Sequence, residues 1–238
     1  MTEFVVVIPS RYASVRLPGK PLRDINGKPM IQHVHERGTE SSAREVVVAT
    51  DDERIAAACE EFGATVCMTG DQHRSGSERI AEVCDIMNWN DDTIVVNLQG
   101  DEPTMPAALI DQCAMLLADA AADIGTLASP IASEQDFANP NVVKTVLDDN
   151  GNALYFSRAA IPHEHFKLAL HHHGIYAYRA GVLRRLVAAP ASELELAERL
   201  EQLRALSLGM KIRVAIPATR PGVGVDTEED LQAVATQI

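Results

Sequence analysis

The chain has 238 residues, of which 46% are hydrophobic and 23% are charged, and this length suits one large domain or two closely associated ones. Its 21 basic and 34 acidic residues give a formal net charge of −13. This charge disfavours a surface that binds nucleic acid or an anionic membrane, since either needs a basic face. It does not exclude a small anionic ligand held in a local basic pocket.

The N-terminus and the cysteines predict a cytoplasmic protein. The first three residues contain no basic segment and lead directly into the apolar run 4–8, which is too short for a signal peptide or a membrane span. The cysteines form no C-x-x-C pair, which disfavours zinc-ribbon and thioredoxin-like sites. We therefore expect free, buried thiols at Cys59, Cys67, Cys84 and Cys113.

The first half of the chain alternates predicted strands with predicted helices. Its β-branched apolar runs are typical of strands buried on both faces, and the segments between them have helical spacing. The predicted strands are 4–8, 46–49 and 93–97, and the predicted helices are 30–40, 52–62 and 77–87. This alternation predicts an α/β fold, a mostly parallel central sheet with helices on both faces. In such sheets, ligands bind beyond the carboxyl ends of the strands.

The second half is less regular and predicts a smaller inserted lobe at about 130–190. Turn residues 148–151 are expected to join two strands into a hairpin within this lobe. The C-terminal elements are expected to return to the main sheet, which makes the chain a single domain over 1–238. The predicted elements are strands at 141–147, 153–156, 174–178 and 211–216 and helices at 192–208 and 228–238.

The loop that follows the first predicted strand is basic. Between positions 9 and 22 it contains Arg11, Arg16 and Lys20 and no acidic residue. Guanidinium and ammonium groups suit phosphate oxygens, and a long irregular connection inside an α/β domain is usually functional. The alternative is a solvated basic loop. No G-x-G-x-x-G follows the first strand and no P-loop motif occurs, which disfavours a dinucleotide-dependent oxidoreductase or a P-loop enzyme.

Two acidic residues are candidates for a metal site near this loop. Asp101 follows the strand at 93–97 and therefore belongs to the same predicted crevice. With Asp226 as a second carboxylate it would suit Mg²⁺ on a triphosphate. The alternatives are a salt bridge for Asp101 and a helix N-cap for Asp226. At most two of the three histidines 171–173 point the same way on an extended backbone, which favours a polar substrate contact over a metal site.

Nine short motifs occur in order between residues 4 and 232, among them SRYASVRLPGKPL at 10–22, SGSER at 75–79, NLQGDEP at 97–103 and GVDT at 224–227. Together they resemble the motifs of the 3-deoxy-manno-octulosonate cytidylyltransferases, the CMP-Kdo synthetases. The resemblance implies a nucleotide-diphospho-sugar transferase fold of Rossmann-like type and a homodimer with a sugar-binding and dimerisation lobe. It also implies a Mg²⁺-dependent reaction in which CTP and Kdo give CMP-Kdo and diphosphate, for lipopolysaccharide biosynthesis.

The resemblance further implies roles for individual residues. The expected catalytic residues are Arg11, Lys20, Asp101 and Asp226, and the two aspartates among them are the expected metal ligands. The expected nucleotide-binding residues are Arg11, Arg16, Lys20, Ser75, Gly76 and Gln99. The expected sugar-binding residues are Arg158, His172, Tyr176, Glu201 and Gln202.

Two departures leave alternatives open. The connection 163–171 is shorter than in many members of the family, so the acceptor could be Kdo, an 8-amino analogue or a related sugar acid. Ser77 stands where threonine is usual, a chemically mild change. From a different class of function, a nucleotide-sensing module without turnover would keep Arg11 and Lys20. Such a module should lack the paired carboxylates and Arg158.

Overall fold

The computed structural model describes residues 2–13, 17–118 and 121–238. Its strands and helices alternate through the first half of the chain, as the apolar runs predict. The strands are β1 (Phe4–Ser10), β2 (Asp24–Ile25), β3 (Lys28–Pro29), β4 (Glu45–Thr50), β5 (Thr65–Met68), β6 (Ile94–Asn97), β7 (Ile124–Pro130), β8 (Lys144–Leu147), β9 (Ala153–Ser157), β10 (Leu170–Arg179) and β11 (Ile212–Ala215). The helices are α1 (Met30–Thr39), α2 (Glu53–Glu61), α3 (Gly76–Ile86), α4 (Ala107–Met115), α5 (Glu134–Ala138), α6 (Ala180–Ala188), α7 (Glu193–Glu198), α8 (Gln202–Ser207) and α9 (Glu228–Ala235).

One large sheet organises the molecule. Within the described ranges its main path has the order β11-β7-β10-β6-β1-β4-β5, and β8 and β9 extend it from β10 as an antiparallel pair. Pairing is parallel along this path except at β10, which is antiparallel to both β6 and β7. The mostly parallel α/β sheet predicted from the sequence is therefore confirmed.

Apolar side chains of the central strands face both sides of the sheet. Val5 and Val7 of β1 join a core under α3 and α6, whereas Val6 and Ile8 join a core under α1, α2 and α4. Alternation along a strand sends successive side chains to opposite faces, so a continuous valine run is buried only when helices cover both. Parallel pairing between these covered strands places the carboxyl ends of β1 and β6 beside each other.

The predicted helix 192–208 is wrong as a single element. It is divided into α7 and α8 at Arg199, which has φ 55° and ψ 48°, the left-handed conformation. A capping box between Ser192 and Glu195 starts α7, and the backbone N–H of Arg199 bonds the carbonyl of Glu195 at its end. The break redirects the chain, and Glu201 follows it as the residue that precedes α8.

The hairpin predicted in the second half is confirmed, because β8 and β9 pair antiparallel around the turn 148–151. This hairpin attaches to the N-terminal half of β10, whereas the C-terminal half of β10 lies in the centre of the main sheet. The division of the chain into one domain with a smaller lobe at about 130–190 stays a prediction.

All four cysteines are buried and free, as the sequence predicts. No helix within the described ranges combines the length and the apolar character that crossing a bilayer requires.

Candidate active site

A cavity of about 430 Å³ opens at the carboxyl ends of β1 and β6. The ends of parallel strands are where an α/β sheet places its ligand crevice. Its wall combines the basic loop, the N-terminus of α3 and the loop that follows β6. It includes seven of the residues that were predicted to bind the nucleotide or to act in catalysis: Arg11, Lys20, Ser75, Gly76, Gln99, Asp101 and Asp226.

Lys20 is the centre of the charged end of this cavity. Gly19, at φ 66°, turns the chain into a short 3₁₀ helix that begins at Lys20. The Lys20 ammonium donates hydrogen bonds to Asp101 Oδ2 at 2.6 Å, to the carbonyl of Val225 at 2.9 Å and to Asp226 Oδ1 at 3.2 Å. With its side chain only 14% exposed, this cation neutralises two carboxylates brought from opposite ends of the sequence.

Asp226 is not the N-cap of α9. Thr227 takes that position and its hydroxyl accepts from the N–H of Asp230. The Asp230 carboxylate in turn accepts from the backbone N–H groups of Asp226 and Thr227. The carboxylate of Asp226 therefore reaches Lys20 from a helix entry that other residues hold in place.

A third carboxyl group lies beside the pair. The pKa of Glu102 is raised to about 8, first by burial and then by the negative charges of Asp101 and Asp226, while the Lys20 ammonium opposes the shift. Burial makes the largest contribution to this shift, and the two neighbouring aspartates add to it. Groups perturbed by burial and by like charges in a cleft are typical of functional sites.

The donor set at this position fits Mg²⁺. This ion is held in proteins by one or two carboxylates and completes its shell with water and substrate phosphate oxygens. Asp101 and Asp226 supply two carboxylates that already surround one cation, the Lys20 ammonium. Among the described residues, no group of three or more His, Cys, Asp or Glu side chains is arranged to hold a metal.

The N-terminus of α3 forms the opposite wall. Ser75 caps the helix, because its hydroxyl accepts from the N–H of Glu78 at 3.3 Å. The same hydroxyl donates to Glu201 Oε1 at 2.7 Å, and the hydroxyl of Ser77 donates to Glu201 Oε2 at 2.5 Å. Gly76 follows the cap. The helix end thus offers backbone N–H groups and a positive dipole to the cavity, which suits an anionic or polar ligand.

Several residues of the cavity wall received no role from the sequence, and Arg79 and His73 are two of them. Arg79 is 4% exposed, and its guanidinium donates to the Thr69 hydroxyl at 2.5 Å while lying 3.4 Å from Asp51 Oδ2. His73 also lines the cavity. Arg79 closes the SGSER motif, so the motif already contained it. The signal for a site role, an arginine on the buried face of an amphipathic helix, is only evident once the sheet beneath it is known.

A second, smaller cavity of about 80 Å³ adjoins the first through Gly76 and Gln99, which line both. Three of the predicted sugar-binding residues lie there: Tyr176, Glu201 and Gln202. The aromatic ring of Tyr178 stacks on that of Tyr176 with centroids 5.7 Å apart. Burial raises the pKa of both phenols, so they act as neutral hydroxyl groups.

His172 lies behind this smaller cavity. Its ring is 5.2 Å from that of Tyr176 and 5.1 Å from that of Phe156, and its Nε2 is 3.1 Å from the hydroxyl of Thr126. Burial lowers its pKa to about 3, so it is neutral. The rings of His171 and His173 lie 5.0 Å apart. This pairing agrees with the prediction that at most two of the three histidines point the same way.

Arg158 lines neither cavity in the part of the chain that the structure describes. Its guanidinium donates to the carbonyls of Glu198 at 2.9 Å and Pro140 at 3.1 Å, beside the hairpin. The structure therefore does not bring Arg158 together with the other predicted sugar-binding residues. Arg16 lies outside the described residues. The roles assigned to all these residues stay predictions.

Comparison with known proteins identifies the family. A family model described as cytidylyltransferase matches residues 5–212. The chain is also 54% identical over 242 aligned positions to a 3-deoxy-manno-octulosonate cytidylyltransferase of Tolumonas auensis, an alignment that covers 98% of this chain and 95% of that relative. The chain belongs to the 3-deoxy-manno-octulosonate cytidylyltransferase family.

Solved structures agree with this membership. The structure of a CMP:2-keto-3-deoxy-manno-octonic acid synthetase complexed with CTP superposes on this chain with a TM-score of 0.93. The two sequences are 43% identical, and the alignment covers 99% of this chain and 98% of that one. A cytidylyltransferase from Leptospira borgpetersenii, 17% identical, covers 99% of this chain and 86% of that one, with a TM-score of 0.65. A 4-diphosphocytidyl-2C-methyl-D-erythritol synthase from Anaerococcus prevotii is 11% identical. Its alignment covers 99% of this chain and 98% of that one, with a TM-score of 0.65. These two distant likenesses show the fold alone.

Proposed function

We propose that this chain transfers the cytidylyl group of CTP to 3-deoxy-D-manno-octulosonate, giving CMP-Kdo and diphosphate. The observation that carries the proposal is the pair of adjoining cavities. The larger one contains a cation between two carboxylates, and the smaller one contains hydroxyl, amide and carboxylate groups that suit a polyhydroxylated acceptor. Family membership supports the same reaction.

The side chains of the larger cavity suit binding and orientation of a triphosphate. The anomeric hydroxyl oxygen attacks the α-phosphorus in line with the leaving group. One P–O bond forms, the P–O bond to diphosphate breaks, and the configuration at phosphorus inverts. Such a transfer depends on positioning and on neutralisation of charge more than on a strong nucleophile. Arg11 and Lys20 supply positive charge for the phosphate oxygens, and the N-terminus of α3 contributes backbone donors.

The shared wall explains how two substrates meet. Gly76 and Gln99 line both cavities, so a nucleotide in the larger one and an acceptor in the smaller one would be in contact there. Glu201, held by the hydroxyls of Ser75 and Ser77, is fixed at this junction and can accept hydrogen bonds from sugar hydroxyls. We assign no general base among these groups.

We propose that Asp101 and Asp226 hold Mg²⁺ during the reaction. When bound, this ion supplies Lewis-acid neutralisation of the phosphate charge. The Lys20 ammonium, which now bonds both carboxylates, would turn to the phosphate oxygens when the nucleotide arrives. The support for this proposal is the composition of the donor set and its existing contact with a cation.

We also propose that the protein is a homodimer. Large apolar side chains are exposed in and beside the predicted lobe, and covering them would remove apolar surface from water. They are Leu154 at 61%, Leu168 at 66%, Leu194 at 48% and Leu196 at 66% exposed. Light scattering after gel filtration measures the state directly, and a monomeric mass at micromolar concentration contradicts it.

The deciding assay measures diphosphate release from CTP, Kdo and Mg²⁺. We expect release that depends on all three, and formation of CMP-Kdo in equal amount. Parallel reactions with 8-amino-Kdo and related sugar acids identify the preferred acceptor. Tight binding of CTP without product from any sugar acid would support the nucleotide-sensing module instead. Omission of Mg²⁺, with EDTA added, tests the metal separately from the acceptor.

A further inference from the structure

Tyr12 is the only aromatic residue in the sequence of the basic loop 9–22. Its side chain is half-buried and packs against the core under α1, α2 and α4. In the part of the chain that the structure describes, Tyr12 lines neither cavity. Its effect on the site therefore has to come from its contacts with other parts of the protein.

A guanidinium group covers the ring of Tyr12. The Cζ atom of Arg54 lies 3.3 Å from the ring centroid, and a cation over an aromatic face is attracted to it. The same guanidinium donates to both carboxylate oxygens of Asp52, from Nε at 2.9 Å and from Nη2 at 2.6 Å. Asp52 also caps α2 by accepting from the backbone N–H of Arg54 at 3.0 Å. The start of α2 thus holds the ring in place.

The hydroxyl edge of the same ring meets the turn before Lys20. A Cβ atom built on Gly19 would lie 3.2 Å from both Cζ and Oη of Tyr12, so the glycine packs closely on the ring. The backbone N–H of Gly19 also donates to the carbonyl of Tyr12 at 3.3 Å. Lys20 is the next residue. The contacts of Tyr12 therefore fix the place where the main chain turns toward the charged end of the larger cavity.

The position of this turn determines what the Lys20 ammonium can reach. A lysine side chain is flexible, so the direction of its charge depends on how its backbone is anchored. From this turn the ammonium bonds three acceptors in two distant segments, which are Asp101, the carbonyl of Val225 and Asp226. Hydrogen bonds of this kind span only about 2.7–3.2 Å, so a displaced backbone would break the pattern.

We propose that Tyr12 is a positioning residue: held by Arg54, its ring places Lys20 for binding of the triphosphate. The inference rests on the proposed function, which takes a nucleoside triphosphate as the ligand of Lys20. Tyr12 then acts on CTP only through Lys20. Loss of the ring should weaken the binding of CTP and leave the KM for the sugar acid unchanged.

Equilibrium binding of CTP in the presence of Mg²⁺ tests the role of the ring. Tyr12→Leu should bind CTP about tenfold more weakly than the unchanged protein, because a displaced Lys20 no longer meets the phosphates. Tyr12→Phe keeps the ring and should bind CTP as the unchanged protein does. Phe62→Leu is the matched control, since Phe62 is the C-cap of α2 and packs, partly buried, against the same core. Equal loss of CTP affinity in the two leucine variants would overturn the proposal, because loosening of the core would then explain it.

A double-mutant cycle tests whether Tyr12 acts through Lys20. Lys20→Met removes the ammonium, so the addition of Tyr12→Leu should weaken CTP binding no further. Losses that add in the double variant would overturn the proposal. During turnover, Tyr12→Leu should lower kcat/KM for CTP about tenfold and leave the KM for Kdo unchanged. An equal rise in the KM for Kdo would contradict a role that acts through the phosphates.

Acetylation of Lys20 by acetic anhydride tests its position without any substrate. The rate is measured by mass spectrometry in nucleotide-free protein, with the exposed Lys211 as internal reference. Tyr12→Leu should raise the rate at Lys20 about fivefold, because a loosened turn releases the ammonium from its carboxylates more often. An unchanged rate would overturn the proposal whatever the substrate is. If the rate and the CTP affinity change as expected but no sugar acid gives diphosphate, the proposed function fails and the role of Tyr12 stands.

Discussion

The ammonium group of Lys20 donates a hydrogen bond of 2.6 Å to Asp101 Oδ2 across 81 residues of sequence. The contact joins the basic loop after β1 to the acidic loop after β6, the two neighbouring parallel strands of the centre of the sheet. It shows that the cation and the carboxylate belong to one site and keeps the acidic end of the cavity partly neutral. In the proposed reaction, Mg²⁺ would replace Lys20 at the carboxylate, and the ammonium would bind the triphosphate instead.

Asp101→Asn is expected to lower kcat about 10²-fold or more, because loss of one carboxylate would weaken the proposed Mg²⁺ site, and stabilisation of charge by a metal ion contributes several kcal/mol to such a transfer. Diphosphate release at saturating CTP and Kdo measures the effect. Asp149→Asn, in the exposed turn of the hairpin, is the control and should keep full turnover. Near-native turnover of Asp101→Asn would remove this residue from the metal site.

Gly100→Ala is expected to reduce activity much more than stability. Its Cβ would lie 2.9 Å from the carbonyl of Pro9, so the loop that carries Gln99 and Asp101 has to move. A displacement of about 1 Å can cost about 10²-fold in rate when groups must be aligned. Gly70→Ala is the matched control, since its Cβ would meet its nearest atom, an oxygen of Glu82, at 3.7 Å. Equal kcat/KM values for the two variants would contradict the expected shift of the loop.

His172 should make the fold less stable in acid. Its pKa is lowered to about 3, first by burial and then by His173 and His171, whereas an unfolded histidine titrates near 6.5. Between these values the unfolded chain binds a proton that the folded chain does not. The contribution to stability is therefore complete above pH 6.5 and is lost as the pH falls toward 3.

Urea unfolding between pH 4 and 7 measures this effect. His172→Gln should reduce the slope of unfolding free energy against pH by up to about 1.4 kcal/mol per pH unit. His163→Gln should leave the slope unchanged, since that side chain is 93% exposed. A slope that is the same in both variants would show that His172 takes up its proton without unfolding.

Arg199→Gly is expected to raise the free energy of unfolding by about 0.5–1 kcal/mol, because glycine adopts the left-handed conformation without the strain of a side chain. The exposed arginine now holds that conformation at φ 55° between α7 and α8. Arg199→Ala keeps the strain and should bring no such gain. Chemical denaturation of the two variants distinguishes them, and a gain in the alanine variant alone would show that the arginine side chain, not its backbone, determines stability here.

The first half of the fold could be predicted from the sequence because apolar runs and helix caps depend on neighbouring residues only. The valine runs of β1 and β4 specify buried strands, and Asp52 and Ser75 act as caps where helical spacing begins. β7 escaped prediction, since its sequence IGTLASP combines glycine, serine and proline with few β-branched residues. Its strand character comes from pairing with β10 and β11 on either side.

The site was predictable to the level of its loops. Arg11, Lys20 and Asp101 were placed in one crevice because loops after neighbouring parallel strands must meet. The break at Arg199, which determines where Glu201 lies, could not be read from a segment whose composition is helical throughout. The contact between Arg54 and Tyr12 was equally hidden, since neither segment indicates on its own which partner it packs against.

Because the four cysteines are buried, the rate at which a thiol reagent labels them measures how often the fold opens locally. Burial raises the pKa of Cys59 and of Cys84 to about 12, and that of Cys113 also rises, so little thiolate is present in the closed state. Cys59 and Cys113 lie under one face of the sheet and Cys84 under the other. Because a thiol reagent attacks only the exposed thiolate, its rate at each cysteine reports how often that layer of helices lifts. Rates of thiol labelling therefore report local opening on each face of the sheet separately.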